Sequence, residues 1–328
     1  MDKLIISQSA IMKNPSIYFS LWRFNVGRRF VIGVPYIWLL LFFALPFLIL
    51  LRISVTDMAG GIDPFAPLVE WTAGAWRLLL RFDSYSSIFR EVGQGASGGF
   101  GDTIYVEAYR VSLKYAALTT LFCLLIGYPF AYFIVRSRAS IRPALLMLVM
   151  LPFWTSFLLR VYAWKGILAD QGVLNNLLLA LGIIKEPIAM LYTDVSMLVG
   201  MTYVYCPFMI LPLYANLVKM DTSLLEAAHD LGASAWKAFW LITVPLSKSG
   251  IIAGSMLVFI PSLGEFVIPS LLGGAENIMI GRVVWDEMFS SNNWPRASAL
   301  STVMILLILV PLALYYRYRS ENNALGDD

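Results

Sequence analysis

Apolar positions along this chain do not alternate with polar ones. They run on for about twenty residues at a time and then give way to short polar clusters, which is the pattern of helices that cross a bilayer. A helix needs ~20 residues to span ~30 Å of hydrocarbon. It is the expected conformation there because lipid offers backbone groups no hydrogen-bond partner. Six runs are predicted as spans, at 31–51, 111–135, 143–164, 195–217, 249–271 and 297–316. The third has the weakest pattern, because Arg160 sits near its end. The fold class that follows is an all-α integral membrane protein with a polar loop, 218–248, between spans four and five.

The polar clusters set the orientation. Six spans place both termini on one side. With that side inside, the tails 1–30 and 317–328 and the loops 136–142 and 218–248 hold 13 Lys+Arg against 7 Asp+Glu, leaving 11 and 14 for the rest of the chain. Arg23, Arg28 and Arg29 precede the first span, Arg136, Arg138 and Arg142 fill a short loop, and Arg317 and Arg319 follow the last span. Cations that flank spans belong on the cytoplasmic side. Outside then lie the segment 52–107 and a second one, 165–194. The stretch GQGASGGFGD, 93–102, reads as a flexible linker. The stretch GVLNNLLLALGI, 172–183, reads as a helix along the outer interface.

Composition agrees. The chain is 59% hydrophobic and 14% charged, where a soluble domain carries about 25% charge. A net charge of +3, scattered along the chain, gives no nucleic-acid footprint. Cys123 and Cys206 lie within apolar runs and read as buried thiols, and His229 stands alone, so no metal site is expected. No short apolar core with a small-residue cleavage site precedes the first span, so no cleaved signal peptide is expected. Pro46, Pro152, Pro207, Pro212, Pro261, Pro269 and Pro311 fall inside spans. Each removes a backbone donor and favours a kink, which suits a cavity that opens and closes, although proline is common in membrane helices generally.

The loop between spans four and five is more structured than its length requires. Ser223 and Glu226 have the spacing of a capping box. Leu224, Ala227, Ala228 and Leu231 then share one helical face, and Gly232 fits the left-handed residue that ends a helix. Ser234 can cap a second helix, where Trp236, Phe239 and Trp240 form an aromatic face, and Pro245 closes the motif. Small side chains on the first helix let another surface approach. Large rings on the second can anchor the elbow to the spans. A plain interfacial helix that caps the bundle is the competing reading.

Glu226-Ala227-Ala228, Gly232 and the run Ile242-Thr243-Val244-Pro245 resemble the EAA motif of permease subunits in binding-protein-dependent ABC importers. The sequence departs at Val244, where leucine is usual. The resemblance implies a coupling loop that docks in a groove of a separate ATPase, with Ser223, Glu226, Ala227, Ala228, Gly232 and Pro245 as its coupling residues. LPFWTSFLLRVYAWKGIL (151–168), GVLNNLLLALGI (172–183), GSMLVFIPSLGEFVIPSLLGG (254–274) and IMIGRVVWDEMF (278–289) narrow it, resembling permeases of the spermidine/putrescine importers, the putrescine type above others. The implied partners are an ATP-binding cassette dimer, a second permease subunit, a periplasmic polyamine-binding protein and membrane lipid. The implied setting is the bacterial inner membrane. No cofactor is expected on this chain, since ATP and magnesium belong to the ATPase.

A polyamine is a flexible polycation, so its path should offer carboxylates and ring faces. Glu265, inside span 249–271, is the main candidate, because an ionisable residue within a membrane helix is costly and is usually functional. Asp194, Asp286 and Glu287 lie near outer span ends, and Trp154, Tyr162, Trp164, Tyr203, Tyr205 and Trp285 can supply rings. Solvated acids and interface anchors are the competing readings for these two groups. Arg160 does not suit a cation path and fits instead a pair with an outer acid or with the binding protein. The chain has no GxxxxGK[ST] phosphate loop and no HExxH, so a transport subunit rather than an enzyme is expected. A related importer for an amino acid, sulfate or iron and a self-sufficient secondary transporter remain open, and a membrane enzyme is disfavoured.

Overall fold

The computed structural model describes residues 30–59, 63–72, 75–89, 104–274 and 276–324. The glycine-rich stretch 93–102, the arginines of the N-terminal tail and the last four residues lie outside the described residues.

The first apolar run forms α1, Phe30–Ser54. A short antiparallel hairpin follows, β1 (Val69–Thr72) and β2 (Ala75–Leu78), registered with Val69 opposite Leu78 and Thr72 opposite Ala75. The expected all-helical fold thus holds for the helical body but not for the segment after α1, where the hairpin lies. Strands of four residues, each with an aromatic or β-branched residue, are too short for periodicity to reveal. Next come α2 (Asp83–Phe89) and α3 (Ile104–Arg136), the longest helix among the described residues. α4 (Arg142–Met150) runs into a 3₁₀ turn, Leu151–Trp154. After it come α5 (Phe157–Leu168), α6 (Val173–Ala180) and α7 (Asp194–Leu217). The elbow is α8 (Ser223–Asp230) and α9 (Ala235–Leu246). α10 (Lys248–Leu263), α11 (Val267–Leu272), α12 (Ile280–Trp285) and α13 (Trp294–Ala324) complete the chain.

Helices α3, α7 and α10 make the core. α3 buries Ala108, Ser112, Ala116, Thr119, Cys123, Gly127 and Ala131, a line of small residues at three- and four-residue spacing. Without a hydrophobic drive between helices in lipid, close approach through small residues is the main source of packing energy. α10 answers with Gly250 and Gly254. A Cβ at Gly254 would lie 2.7 Å from the Met209 sulfur and 3.2 Å from its carbonyl oxygen. Gly254→Leu is therefore expected to cost about 1–3 kcal/mol by overpacking. Thermal unfolding in detergent measures it, and an unchanged midpoint would mean that α7 and α10 do not meet this closely. α1 lies outside this core and packs along α13.

Among the described residues, three helices are long and apolar enough to cross a membrane (α1, α3 and α7), rising to five if two bent pairs count as spans. Trp294–Leu309 is a shorter apolar helix. Two of the expected spans are not continuous. The run 143–164 breaks after Trp154, where Thr155 and Ser156 are extended, and the two helical stretches on either side meet at 88°. Pro152 sits in the tight turn before the break. The run 249–271 stops at Leu263 and restarts at Val267.

Proline also explains two wide π turns. Leu40–Ala44 and Phe239–Thr243 each end two residues before a proline, Pro46 and Pro245. The proline ring clashes with the carbonyl four residues back and leaves it unbonded, so the preceding turn widens. Pro129, Pro207, Pro212 and Pro261, in contrast, sit within continuous helices.

Candidate functional site

Two sites stand out, one at the elbow and one at the break between α10 and α11. At the elbow, Gly232 has φ +81°, the left-handed turn expected from the sequence. Its N–H donates to His229 O at 2.9 Å, and Ala233 N–H donates to Ala228 O at 2.9 Å. Ser234 caps α9 as expected, accepting Lys237 N–H at 3.4 Å.

The first cap differs from expectation. Ser223 is the first helical residue rather than the cap, and its N–H donates to Asp221 Oδ1 at 2.9 Å. Ser223 and Glu226 make no capping box. Asp221 and Ser223 both suit a helix start and lie two residues apart, so the register is not readable from residue type alone. The same Ser223 N–H, followed by its hydroxyl, holds the Asp221 carboxyl below the usual carboxylate range.

The faces of α8 are also divided differently. Leu225 and Ala228 turn inward and form a small core with Ala238, joined by Met220, Ala233 and Ile242. Leu224 is 46% and Leu231 90% exposed, and Glu226 and Ala227 are exposed beside them. The predicted apolar face, Ala228 apart, therefore points away from the chain. Pro245 lies within α9, two residues before Ser247 at the 65° bend that joins α9 to α10.

At the break, Glu265 is 9% exposed. Its Oε1 accepts three backbone N–H groups, from Phe266 at 3.1 Å, Val267 at 3.0 Å and Ile268 at 3.4 Å. It thus caps α11, where a carboxylate also complements the helix dipole. Its Oε2 accepts the Tyr205 hydroxyl of α7 at 2.5 Å. Glu265 therefore lies between two helices and not within one, as the sequence had suggested. α12 presses against the same break: a Cβ at Gly281 would lie 2.3 Å from the Gly264 carbonyl oxygen. Ile280 N–H, donating to Ser112 Oγ at 2.7 Å, pins α12 to α3.

This packing brings part of the predicted set together. Phe266 stacks on Trp285 at 4.9 Å and 10°, and Trp285 meets Phe289 at 4.3 Å. Trp285 and Phe289 are 45% and 60% exposed, so two of the three rings remain open, linked to the break through Phe266, the residue after Glu265. Phe266 and Phe289 were not singled out by sequence. The adjacency of Phe266 to Glu265 was the available signal. Asp286 is half-exposed and pairs with Arg282 at 3.6 Å. Glu287 accepts the Tyr105 hydroxyl at 2.6 Å and lies 3.8 Å from Arg296. Asp286 and Glu287 thus each face an arginine of this chain. Tyr105 and Arg296 are further members that the sequence did not point to.

The other predicted residues lie elsewhere. Asp194 starts α7 and accepts the Asn277 amide, while Tyr115 donates to Asn277 Oδ1 at 3.1 Å. Trp164 and Tyr203 meet edge to face at 5.4 Å and line an apolar cleft of about 560 Å³ between α3, α4, α5 and α7. That cleft has no carboxylate in its lining. Tyr203 and Tyr205 are two positions apart, so they leave α7 on different faces. Trp154 and Tyr162 are 72% and 54% exposed. The Arg160 guanidinium lies 4.8 Å from the Phe153 ring and 5.9 Å from Phe157, and makes no ion pair with any described residue.

A helical body with small-residue packing, spans broken at two places and an exposed glycine-jointed elbow marks a multi-span helical membrane protein. The chain belongs to the family of inner membrane components of binding-protein-dependent transport systems, whose family model matches residues 9–320. It is 35% identical over 293 residues to the spermidine/putrescine transport system permease protein PotB of Haemophilus influenzae, covering 89% of this chain and 94% of the relative. It is 36% identical over 280 residues to the protein of that name from Escherichia coli, covering 85% and 93%. A bacterial ABC transporter involved in import of the acidic polysaccharide alginate has the same fold, with a TM-score of 0.62 at 18% identity over 92% of this chain and 99% of that one.

Proposed function

We propose that this chain is a permease subunit of an ABC importer that carries polyamines, putrescine or spermidine, across the bacterial inner membrane. The observation that carries the reading is the end-to-end match to relatives named for spermidine/putrescine transport. The site chemistry supports it: a buried carboxylate, followed in the chain by a ring that stacks on the exposed Trp285, suits an ammonium group, since carboxylates and ring faces both stabilise one once water is removed.

In this reading residues 31–316 form one permease domain of six crossings, with each bent segment counted as a crossing and both tails cytoplasmic. The segment 52–107 and α6 then face the periplasm, and the elbow, within 218–248, faces the cytoplasm. The exposed Leu224, Glu226, Ala227 and Leu231 offer a docking face to an ATPase subunit. A periplasmic polyamine-binding protein delivers substrate to the outer mouth, where Trp285, Asp286 and Glu287 stand. A second permease subunit closes the cavity, and lipid covers the remaining apolar surface. This chain holds no nucleotide. ATP closes the ATPase dimer, the elbow moves, and the cavity alternates between its two openings. A ligand shifts such an equilibrium only by its differential affinity for the two states, so the carboxylate and rings must hold substrate better in one state than in the other.

The test is uptake of labelled putrescine and spermidine into proteoliposomes holding the assembled complex. ATP-dependent uptake of either is expected, with none when the ATPase subunit is left out. Uptake by this chain alone, driven by an ion gradient, would sink the reading in favour of a secondary transporter.

A further inference from the structure

We propose that Phe239 is the positioning residue through which elbow movement reaches the membrane body, and that α3 is the helix it drives. The inference rests on the elbow being the ATPase dock, and it goes beyond that by naming the receiving helix. Of the three rings on α9, Trp236 and Trp240 are 70% and 51% exposed, whereas Phe239 turns inward and packs against the core cluster. Its ring meets Tyr128 edge to face at 5.5 Å and Tyr132 at 5.7 Å. These two tyrosines lie one turn apart on α3, so Phe239 is held between two ring surfaces of a single helix.

The notch is itself fixed. The Tyr128 hydroxyl shares a hydrogen bond of 2.9 Å with Ser247 Oγ, at the joint between α9 and α10. Arg136 donates to the Tyr132 hydroxyl at 2.7 Å and lies over its ring. The covalent route from elbow to α10 runs through a 65° bend behind a widened turn, Phe239–Thr243, which transmits a push poorly. The ring notch bypasses that bend. α3 then packs along both α7 and α10, the helices that hold Tyr205 and lead to Glu265. A displacement at Phe239 therefore reaches both sides of the break without passing through the joint.

The experiment compares Phe239→Ala and Phe239→Leu in the assembled complex, reconstituted with its ATPase and binding protein and given labelled putrescine. Phe239→Ala loses both ring contacts to α3, along with those to Trp236 and Trp240 within α9, and is expected to lower putrescine moved per ATP hydrolysed by about fivefold or more. The ATPase should still co-purify at the wild-type ratio, and Phe239→Leu, which keeps most of the volume, should recover most of the yield. An unchanged yield in Phe239→Ala, or a fall that merely tracks lost complex, overturns the inference. Gly232→Val serves as the companion arm. If it alters neither hydrolysis nor uptake, the docking reading fails and takes this one with it; if it alters both while Phe239→Ala is silent, only the Phe239 route is wrong.

Discussion

Gly232→Val is expected to lower coupled uptake about tenfold while the protein stays inserted, because one to two kcal/mol of local strain shifts an equilibrium by about 5–30-fold. The argument is conformational. Gly232 has φ +81°, and nothing lies within 4 Å of where a Cβ would stand. No side chain is displaced, so the penalty falls on the backbone. A β-branched residue at positive φ is a genuine outlier. The turn relaxes by rotating α8 against α9, which disturbs the small Leu225–Ala228–Ala238 core and re-aims the exposed face. Gly232→Asn is the control, since asparagine tolerates the left-handed region, and it should stay near wild type. Glu226→Lys tests the face itself: the residue is exposed in the first turn of α8, so charge reversal leaves the fold alone and alters only what meets it. ATP hydrolysis stimulated by the loaded binding protein, read beside uptake, measures both. If Gly232→Val transports at the wild-type rate, the turn does not carry the coupling.

The sequence foretold the turn of the elbow better than the breaks between helices. Gly232 and Ser234 act as their residue types require, because a left-handed turn and a cap are local events. The spans at α1, α3 and α7 were legible for a similar reason: apolar length and the demand for internal hydrogen bonds leave no other solution. The breaks were harder. In the stretch Ser262–Pro269 a glycine, an acid and a proline stand in the order that ends one helix and starts another, yet the unbroken hydrophobicity around them reads as a single span. Pro152, Thr155 and Ser156 hid the other break in the same way.

The grouping of the site was out of reach for another reason. Tyr205 and Glu265 are sixty positions apart, and Tyr105 and Glu287 are 182 apart. Residue type marks such groups as candidates, but only the packing of α3 against α12 and of α7 against the α10–α11 break decides which of them meet. That packing also sent Tyr203 to an apolar cleft and Tyr205 to the carboxylate, a separation invisible in a list of aromatic residues.

Glu265 gives the sharpest test, because its fold role and its charge can be separated. Both oxygens are engaged, one with three backbone N–H groups and the other with Tyr205. Glu265→Ala strips all four donors of their acceptor. Each buried group left unpaired costs about 1–3 kcal/mol, so this variant should assemble poorly and unfold at a lower temperature. Glu265→Gln keeps a carbonyl oxygen for the cap and turns its amide toward the Tyr205 hydroxyl, which can accept where it formerly donated. The packing survives and only the charge is lost. If the carboxylate lies on a cation path, Glu265→Gln should assemble and unfold as the wild type does, yet take up putrescine about tenfold more slowly, an effect of about 1.4 kcal/mol. Tyr205→Phe is the complementary change: it keeps the charge and removes one of its donors, so its uptake should fall less than that of Glu265→Gln. Wild-type uptake by Glu265→Gln, alongside a poorly assembled Glu265→Ala, would make the acid a helix cap alone and move the cation path to the open rings of Trp285 and Phe289.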